Sequence, residues 1–344
     1  MAEAHETYRN KGWIVAKPVV GTYQPECLQW RETPIPEISD GEVLVRTLLL
    51  SLDPTSRNWL TLDPRKQYVP FGVGDPMFGS AIGIVETSQA PGFAEGDVVR
   101  GPWGWQLYSA ADACLLERLK PEDGIPLEAE LSVFSHVGRA AIIGLMAVGD
   151  LKSSDLVVVS GAAGATGAIA AQIAKAQGCR VVGVAGGPEK CAFLRNTLGL
   201  DATIDYRSEN PTEAISRLCP DGVDLFFDNV GGPILDAVLA NMAMGCRIVI
   251  CGAMSQYDLP DPSEAYGVKN LPLMLYREAR IQGFLATKSW DPDDKLDGIL
   301  RTLFREGKIL NRSHIVESLE AAPEALNLLF QGRNDGKLMV RVSY

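Results

Sequence analysis

The stretch DLVVVSGAAGATGAIAAQIAKAQGCRVVGVAGGPEK, residues 155–190, decides how the rest of the chain is read. An apolar run at 156–159 gives way to a glycine-rich turn, then to small and aliphatic residues over a helix's length, then to a second apolar run at 180–185. That order is a strand, turn, helix, strand unit. Within the turn Ala162, Gly164 and Gly167 keep the spacing G-x-G-x-x-G, with alanine in first place. One small residue permits the tight turn, Gly164 lets backbone approach a pyrophosphate, and Gly167 lets the helix pack on the strand. The helix N-terminus adds unpaired N–H groups and a partial positive charge that suit the same anion. A dinucleotide is expected here.

The second strand ends in Gly186, Gly187, Pro188, Glu189 and Lys190. A site for NAD usually carries an Asp or Glu at this strand end, which accepts from the ribose 2′-hydroxyl and repels a 2′-phosphate. Glycines stand there instead, and Lys190 can offer a point charge to a phosphate. Glu189 offsets part of that charge, and the bland alternative is a solvated helix lysine. The balance favours NADP over NAD.

Working outward, 344 residues exceed the size at which single cores stop growing, so two domains are expected. With 46% hydrophobic and 22% charged residues the composition is that of an ordinary globular protein. A net charge of −11 argues against nucleic acid or an anionic membrane as main partner. No secretory signal shows in the polar start MAEAHETYRNKGW. The uncharged run 156–174 is long enough to span a membrane, but its glycines and its change from strand to helix pattern favour the unit above. Seven cysteines without a C-x-x-C pair read as reduced thiols, and three histidines (His5, His136 and His314), none near a cysteine, give no zinc-ligand signature. A cytoplasmic, metal-free protein is expected.

Before the turn the chain shows strand patterns at 13–20, 27–32, 42–51, 81–87 and 97–101, broken by Gly and Pro, with a short helix after Asp53. Many short strands suggest an all-β barrel of roughly 120 residues. Residues 131–148 read as a helix. Six apolar strands separated by helices then follow, at 157–160, 181–185, 202–205, 223–229, 247–252 and 280–286, as in an α/β doubly wound parallel sheet. A helix at 293–306, a strand at 314–318, a helix at 323–330 and a strand at 337–342 complete the chain. Ligands of such sheets lie beyond the strands' carboxyl ends. That singles out Tyr206, Asn229 and the residues after the last two strands, although Asn229 reads first as a turn residue closing its strand.

With these residues assembled, the chain resembles the zinc-independent medium-chain dehydrogenase/reductases, and within them the leukotriene B4 dehydrogenase, prostaglandin reductase and alkenal reductase group. The resemblance rests on SLDPTSRNWL (51–60), VVVSGAAGATGAIAAQIAK, GCRVVGVAGGPEKCAFL, DLFFDNVGGPILDAV, CRIVICGAMSQYD and GRNDGKLMVRV, and runs through nearly the whole chain. It implies a GroES-like catalytic domain over 1–126, completed by 309–344, and a Rossmann domain over 127–308. It implies NADPH as cofactor, with the pyrophosphate on Gly164, Ala165, Thr166 and Gly167 and the 2′-phosphate on Lys190 and Tyr206. Asn229, the loop Cys251, Gly252, Ala253, Met254, Ser255, Gln256 and Tyr257, then Phe284, Leu285 and Ala286, and finally Asn334 would line the ribose and nicotinamide. Tyr276, in LMLYREARI, matches a family tyrosine that hydrogen-bonds the substrate carbonyl oxygen.

The implied chemistry is metal-free reduction of the C=C bond of an α,β-unsaturated ketone or aldehyde, with Tyr276 or a cofactor ribose hydroxyl donating to the oxygen that gathers charge. Quinone or carbonyl reduction on the same scaffold, and cofactor binding without catalysis, are the alternatives. The resemblance also implies a homodimer formed along strand 280–286. Two departures fall near the expected substrate: Thr55 where the family has a tyrosine, and Gly138, Arg139, Ala140, Ala141 and Ile142 where it has Thr-Ala-Tyr after the glycine. Arg57, Asn58, His136 and Arg139 are further candidates there, Arg139 reading first as an exposed helix arginine.

Overall fold

The structure, a computed structural model, describes residues 9–66, 71–120, 124–286 and 295–343. His5, and the first two positions of the helix expected at 293–306, lie outside the described residues. Contacts divide the chain into two compact units. One contains residues up to Leu131, Ser313–Arg333 and the segment from Leu338 onward; the other contains Ser132–Arg312 and Asn334–Lys337. The sequence put the divisions after residues 126 and 308.

The first unit opens with β1 (Arg9–Val15), β2 (Leu28–Pro34), β3 (Glu42–Ser51), α1 (Thr55–Trp59), β4 (Phe78–Ser88), β5 (Val98–Gly104), β6 (Tyr108–Asp112), β7 (Glu117–Arg118) and α2 (Leu127–Glu130). The second unit runs through α3 (His136–Ile142), β8 (Leu156–Ser160), α4 (Ala165–Ala176), β9 (Arg180–Ala185), α5 (Pro188–Asn196) and β10 (Ala202–Asp205). It continues with α6 (Pro211–Leu218), β11 (Val223–Asp228), α7 (Gly232–Leu239), β12 (Met242–Ile250), α8 (Leu273–Arg277), β13 (Arg280–Gly283) and α9 (Lys295–Arg305). After these come β14 (Ser313–Glu317), α10 (Ala322–Phe330) and β15 (Lys337–Arg341).

In the first unit β14, β15, β3, β4, β5 and β7 lie side by side, and β6 also pairs with β3. The pairings of β3 with β4, β6 and β15 are antiparallel. Alternation along the first half of β3 sends Val43 and Val45 inward, where they join Leu50, Trp59, Trp103 and Trp105 in one buried cluster. A buried charge is handled by pairing. Arg100 donates to Glu130 Oε2 at 2.7 Å, to the Glu130 carbonyl at 2.6 Å and to Glu117.

The second unit is a six-stranded parallel sheet in the order β10-β9-β8-β11-β12-β13. Every residue of β8 is buried, as a central parallel strand requires. The strand order reverses between β8 and β11, and a doubly wound sheet opens its ligand crevice at that reversal. The α/β fold class expected from the sequence holds.

Among the differences from the sequence reading, two bear on the nucleotide-binding unit. The helix expected at 131–148 is broken, because Ser135 caps a fresh start: its Oγ accepts from the Val137 N–H at 3.3 Å, and α3 begins at His136. After Ile142 the chain continues as a π-helix, Ile143–Val148. The last parallel strand ends at Gly283 rather than 286. Its partner β12 ends at Ile250, in register with Gly283, and the Cys251 N–H turns to the Asp228 carbonyl, so Phe284 has no neighbour to pair with. Among the described residues no helix is long and apolar enough to cross a membrane.

Replacing Glu130 by Ala leaves the buried Arg100 with Glu117 as its remaining carboxylate, and is expected to cost about 3 kcal/mol of stability, read by urea unfolding. Glu130→Gln, which keeps an acceptor, should cost less.

Candidate functional site

The turn after β8 is built from backbone geometry. Gly161 takes φ +57°, the Ala162 N–H donates to the Val184 carbonyl at 3.1 Å, and Gly164 caps α4. The left-handed residue of the tight turn is thus Gly161, one position before the alanine that matched the motif. At Gly167 a Cβ would lie 2.3 Å from the Gly161 carbonyl oxygen, so the helix reaches the turn only with glycine there. Ala163, Gly164 and Ala165 line one side of a small recess, and Phe193, Asn311 and Arg312 the other.

At the end of β9, Gly187 has φ +98° and starts α5. A Cβ on Gly186 would lie 2.8 Å from the Tyr206 hydroxyl oxygen and 2.9 Å from Arg207 Nε. The acid absent from β9 comes from the next strand. Asp205 Oδ1 accepts the Gly187 N–H at 2.8 Å and the Arg207 N–H at 3.1 Å, and these two amides hold its carboxyl below the usual Asp range. That oxygen is spent on backbone. Burial, and then the Arg207 charge, push the Lys190 ammonium below the ordinary lysine value.

The end of β11 is the tightest part of the unit. Asp228, fully buried, accepts at Oδ1 from Ser160 Oγ at 2.7 Å and from the Val230 and Gly231 amides at 2.9 Å each; burial raises its carboxyl. Asn229 donates its side-chain amide to the Ser160 carbonyl at 2.7 Å, so it closes the strand end as a turn residue would. Over this lies the loop after β12. Cys251 and Gly252 donate to the Asp228 carbonyl, Met254 to the Asn229 carbonyl and Ser255 to the Val230 carbonyl; the Ala253 amide donates to the Tyr257 hydroxyl at 3.0 Å. Gly232 leaves no room for a Cβ beside Ser255 and Gln256. Burial, with the Asp228 charge adding, pushes the Cys251 thiol up to about 12, which keeps it protonated at neutral pH.

The structure therefore gathers Gly164, Ala165, Thr166, Gly167, Lys190, Tyr206, Asn229 and the Cys251 to Tyr257 loop at the carboxyl ends of the sheet. Asn334 donates to the Gly336 carbonyl at 2.8 Å, and Gly336 lines the recess beside Arg312. The Phe284 ring lies against Gly144 of the π-helix, where a Cβ would meet it at 2.9 Å, and Leu285 and Ala286 follow beyond the strand. Tyr276 sits on the short α8 and is 72% exposed, and no hydrogen bond joins it to the gathered residues among those described.

What places α8 is Asp236, which the sequence did not single out. Its Oδ2 accepts from the Tyr266 hydroxyl at 2.8 Å, and its Oδ1 from the Lys269 amide at 2.9 Å and the Asn270 amide at 2.8 Å; the Asn270 carbonyl then accepts from Leu273, the first residue of α8. Of the departures, Gly138 is dictated by packing, since a Cβ would fall 1.8 Å from the Val133 carbonyl oxygen. Arg139 is half-buried rather than exposed. Arg57 is buried, donating to the Gly21 carbonyl within the first unit.

The family models that match are described as the N-terminal domain of oxidoreductase, over residues 11–119, and zinc-binding dehydrogenase, over 165–301. An NADPH-dependent curcumin reductase of Escherichia coli K12 is 34% identical over 342 residues, covering 97% of each chain. The chain belongs to the zinc-independent medium-chain dehydrogenase/reductases. An NADP-dependent 2-alkenal reductase of Nicotiana tabacum is 36% identical over 311 residues, covering 90% of this chain and 89% of its own. Among solved structures similar to this family member, CurA of Vibrio vulnificus in complex with NADPH superposes with a TM-score of 0.86 at 33% identity, covering 97% of this chain and 99% of that one. One model's description mentions zinc; among the described residues no group of three or more His, Cys, Asp or Glu side chains is placed to hold a metal ion.

Burial alone would raise the Asp236 carboxyl, but the Asn270 amide, the Tyr266 hydroxyl and the Lys269 amide outweigh it and hold it below the usual Asp range. A depressed carboxylate contributes stability above its unfolded pKa and loses it as pH falls through the folded one. Amide exchange of Lys269 and Asn270, taken relative to the intrinsic rate at each pH, should therefore stay protected at neutral pH and lose that protection only below the ordinary Asp range. Asp236→Ala, which removes the acceptor, should release both amides at every pH.

Proposed function

We propose that this protein is a cytoplasmic enzyme that uses NADPH to reduce the C=C bond of α,β-unsaturated ketones and aldehydes. The observation that carries the cofactor is the end of β9, where Gly186 leaves the space that the Tyr206 hydroxyl and Arg207 face, and where the neighbouring acid Asp205 is turned onto backbone amides. The substrate class is supported by the activities for which the curcumin and 2-alkenal reductases are named, each similar over most of the chain. Seven free cysteines agree with a reducing compartment.

The residues present fit the cofactor, because Gly186 lets the Tyr206 hydroxyl and the Arg207 guanidinium close on the end of β9, and Ala163, Gly164 and Ala165 line a recess at the start of α4. Gly164, Ala165, Thr166 and Gly167 would hold the pyrophosphate, and Lys190 and Tyr206 the 2′-phosphate. Asn229, the Cys251 to Tyr257 loop, Phe284 to Ala286 and Asn334 would line the ribose and nicotinamide. Bound NADPH supplies the hydride that adds to the β-carbon. Negative charge then gathers on the substrate's carbonyl oxygen, and the Tyr276 hydroxyl donates to it. Solvent supplies the α-carbon proton.

Offered enones, enals and quinones with NADPH, the protein should give saturated carbonyl products; alcohols from the same substrates would point to carbonyl reduction instead. Tyr276→Phe is expected to lower kcat about 100-fold with little change in NADPH binding. An unchanged kcat removes Tyr276 from the reaction.

We infer also that two copies associate along β13. Among the described residues its outer edge is unpaired, all four of its residues are exposed, and Leu275 nearby is 78% exposed. An open edge flanked by apolar side chains is normally covered. Light scattering behind gel filtration should give twice the 37.1 kDa chain mass, and Ile281→Arg should shift it toward one.

A further inference from the structure

The phosphate end of the nucleotide site carries more positive charge than the lysine alone supplies. Burial and then the Arg207 charge push the Lys190 ammonium down; Arg312 adds to the fall and Asp335 opposes it. Arg312 is already engaged: it pairs with Asp335 at 2.6 Å and lies over the Phe193 ring, 4.0 Å from its centroid. Arg207 differs. Its backbone N–H is held by Asp205, but its guanidinium makes no hydrogen bond or ion pair among the described residues. That guanidinium is directed at the two glycines that end β9, with Nε 2.9 Å from the position of a Gly186 Cβ and Nη1 3.9 Å from that of Gly187. The Tyr206 hydroxyl converges on the same point, 2.8 Å from the Gly186 position.

We propose that Arg207 is a specificity residue, which binds the cofactor 2′-phosphate together with Lys190 and Tyr206 and carries much of the discrimination against dinucleotides that lack it. The proposal rests on the NADPH reading above and adds a ligand to it. A lysine offers a phosphate a point charge, whereas a guanidinium offers a planar fork that can meet two oxygens. The two cations also repel one another, and a 2′-phosphate relieves that repulsion where a 2′-hydroxyl does not. Selection thus has an attractive part for one cofactor and an unrelieved repulsive part for the other. Gly186 is needed because a Cβ there would collide with the Tyr206 hydroxyl and the Arg207 guanidinium and push both away.

The test measures binding to the full-length protein with no alkene present, so it is readable even if the reductase activity fails. Dissociation constants are taken for NADPH, NADH and adenosine 2′,5′-bisphosphate with wild type, Arg207→Gln and Arg207→Lys. Arg207→Gln should weaken NADPH and the bisphosphate about 10-fold or more, change NADH less than about 2-fold, and flatten the salt dependence of NADPH binding. Arg207→Lys should recover part of the loss. Equal weakening of NADPH and NADH would assign Arg207 a purely structural role, and unchanged NADPH binding would remove it from the site; either overturns the proposal. A wild type that binds both cofactors equally overturns the NADPH reading and this proposal with it.

Discussion

The second unit depends on one buried carboxylate. Asp228 receives a hydroxyl from Ser160 at the end of β8 and two amides from the turn that follows it, and its own carbonyl receives two more amides from the loop after β12. Three neighbouring strands are thereby closed at one end by a single residue that water does not reach. Burying a carboxylate is costly, and the cost is offset only in part by donors that would otherwise be unsatisfied themselves, since the amides of a sharp turn have no ladder partner. The same residue that ends the strand shapes the floor of the crevice.

Much of the fold is legible in the sequence because its two periodicities are unmixed. Alternation at the start of β3 and the apolar runs 156–159 in β8 and 225–227 in β11 separate an antiparallel sheet from a buried parallel one. The misreadings arise where a tertiary partner, not a local preference, sets the boundary. Residues 131–148 are apolar enough for one helix, but Ser135 supplies a cap that restarts it. Residues 280–286 are apolar enough for seven strand positions, but β12 stops opposite the fourth.

The candidate site was legible as a place and less so as a mechanism. Gly164 and Gly167 stand where their spacing puts them, yet the positive φ falls on Gly161, because the motif specifies where small residues are needed and not which one turns. Asp205 and Arg207 could not be read out, since their meaning lies across the sheet at Gly186 and Gly187, about twenty residues earlier, and nothing in the pattern of β10 announces it. Asp236 reads as an ordinary helix acid until the loop folds back onto it. Tyr276 was found through the family resemblance alone.

The position of β15 in its sheet has a consequence for how the protein emerges from the ribosome. It lies between β14 and β3, yet it comes some three hundred residues after β3 in the chain. All six strands of the parallel sheet are already synthesised while that place beside β3 stands open. The nucleotide-binding unit can assemble its sheet as it appears, whereas the earlier-made unit must wait with an unsatisfied strand edge. Translation order and assembly order are thus reversed, and in the nascent protein the vulnerable surface is β3.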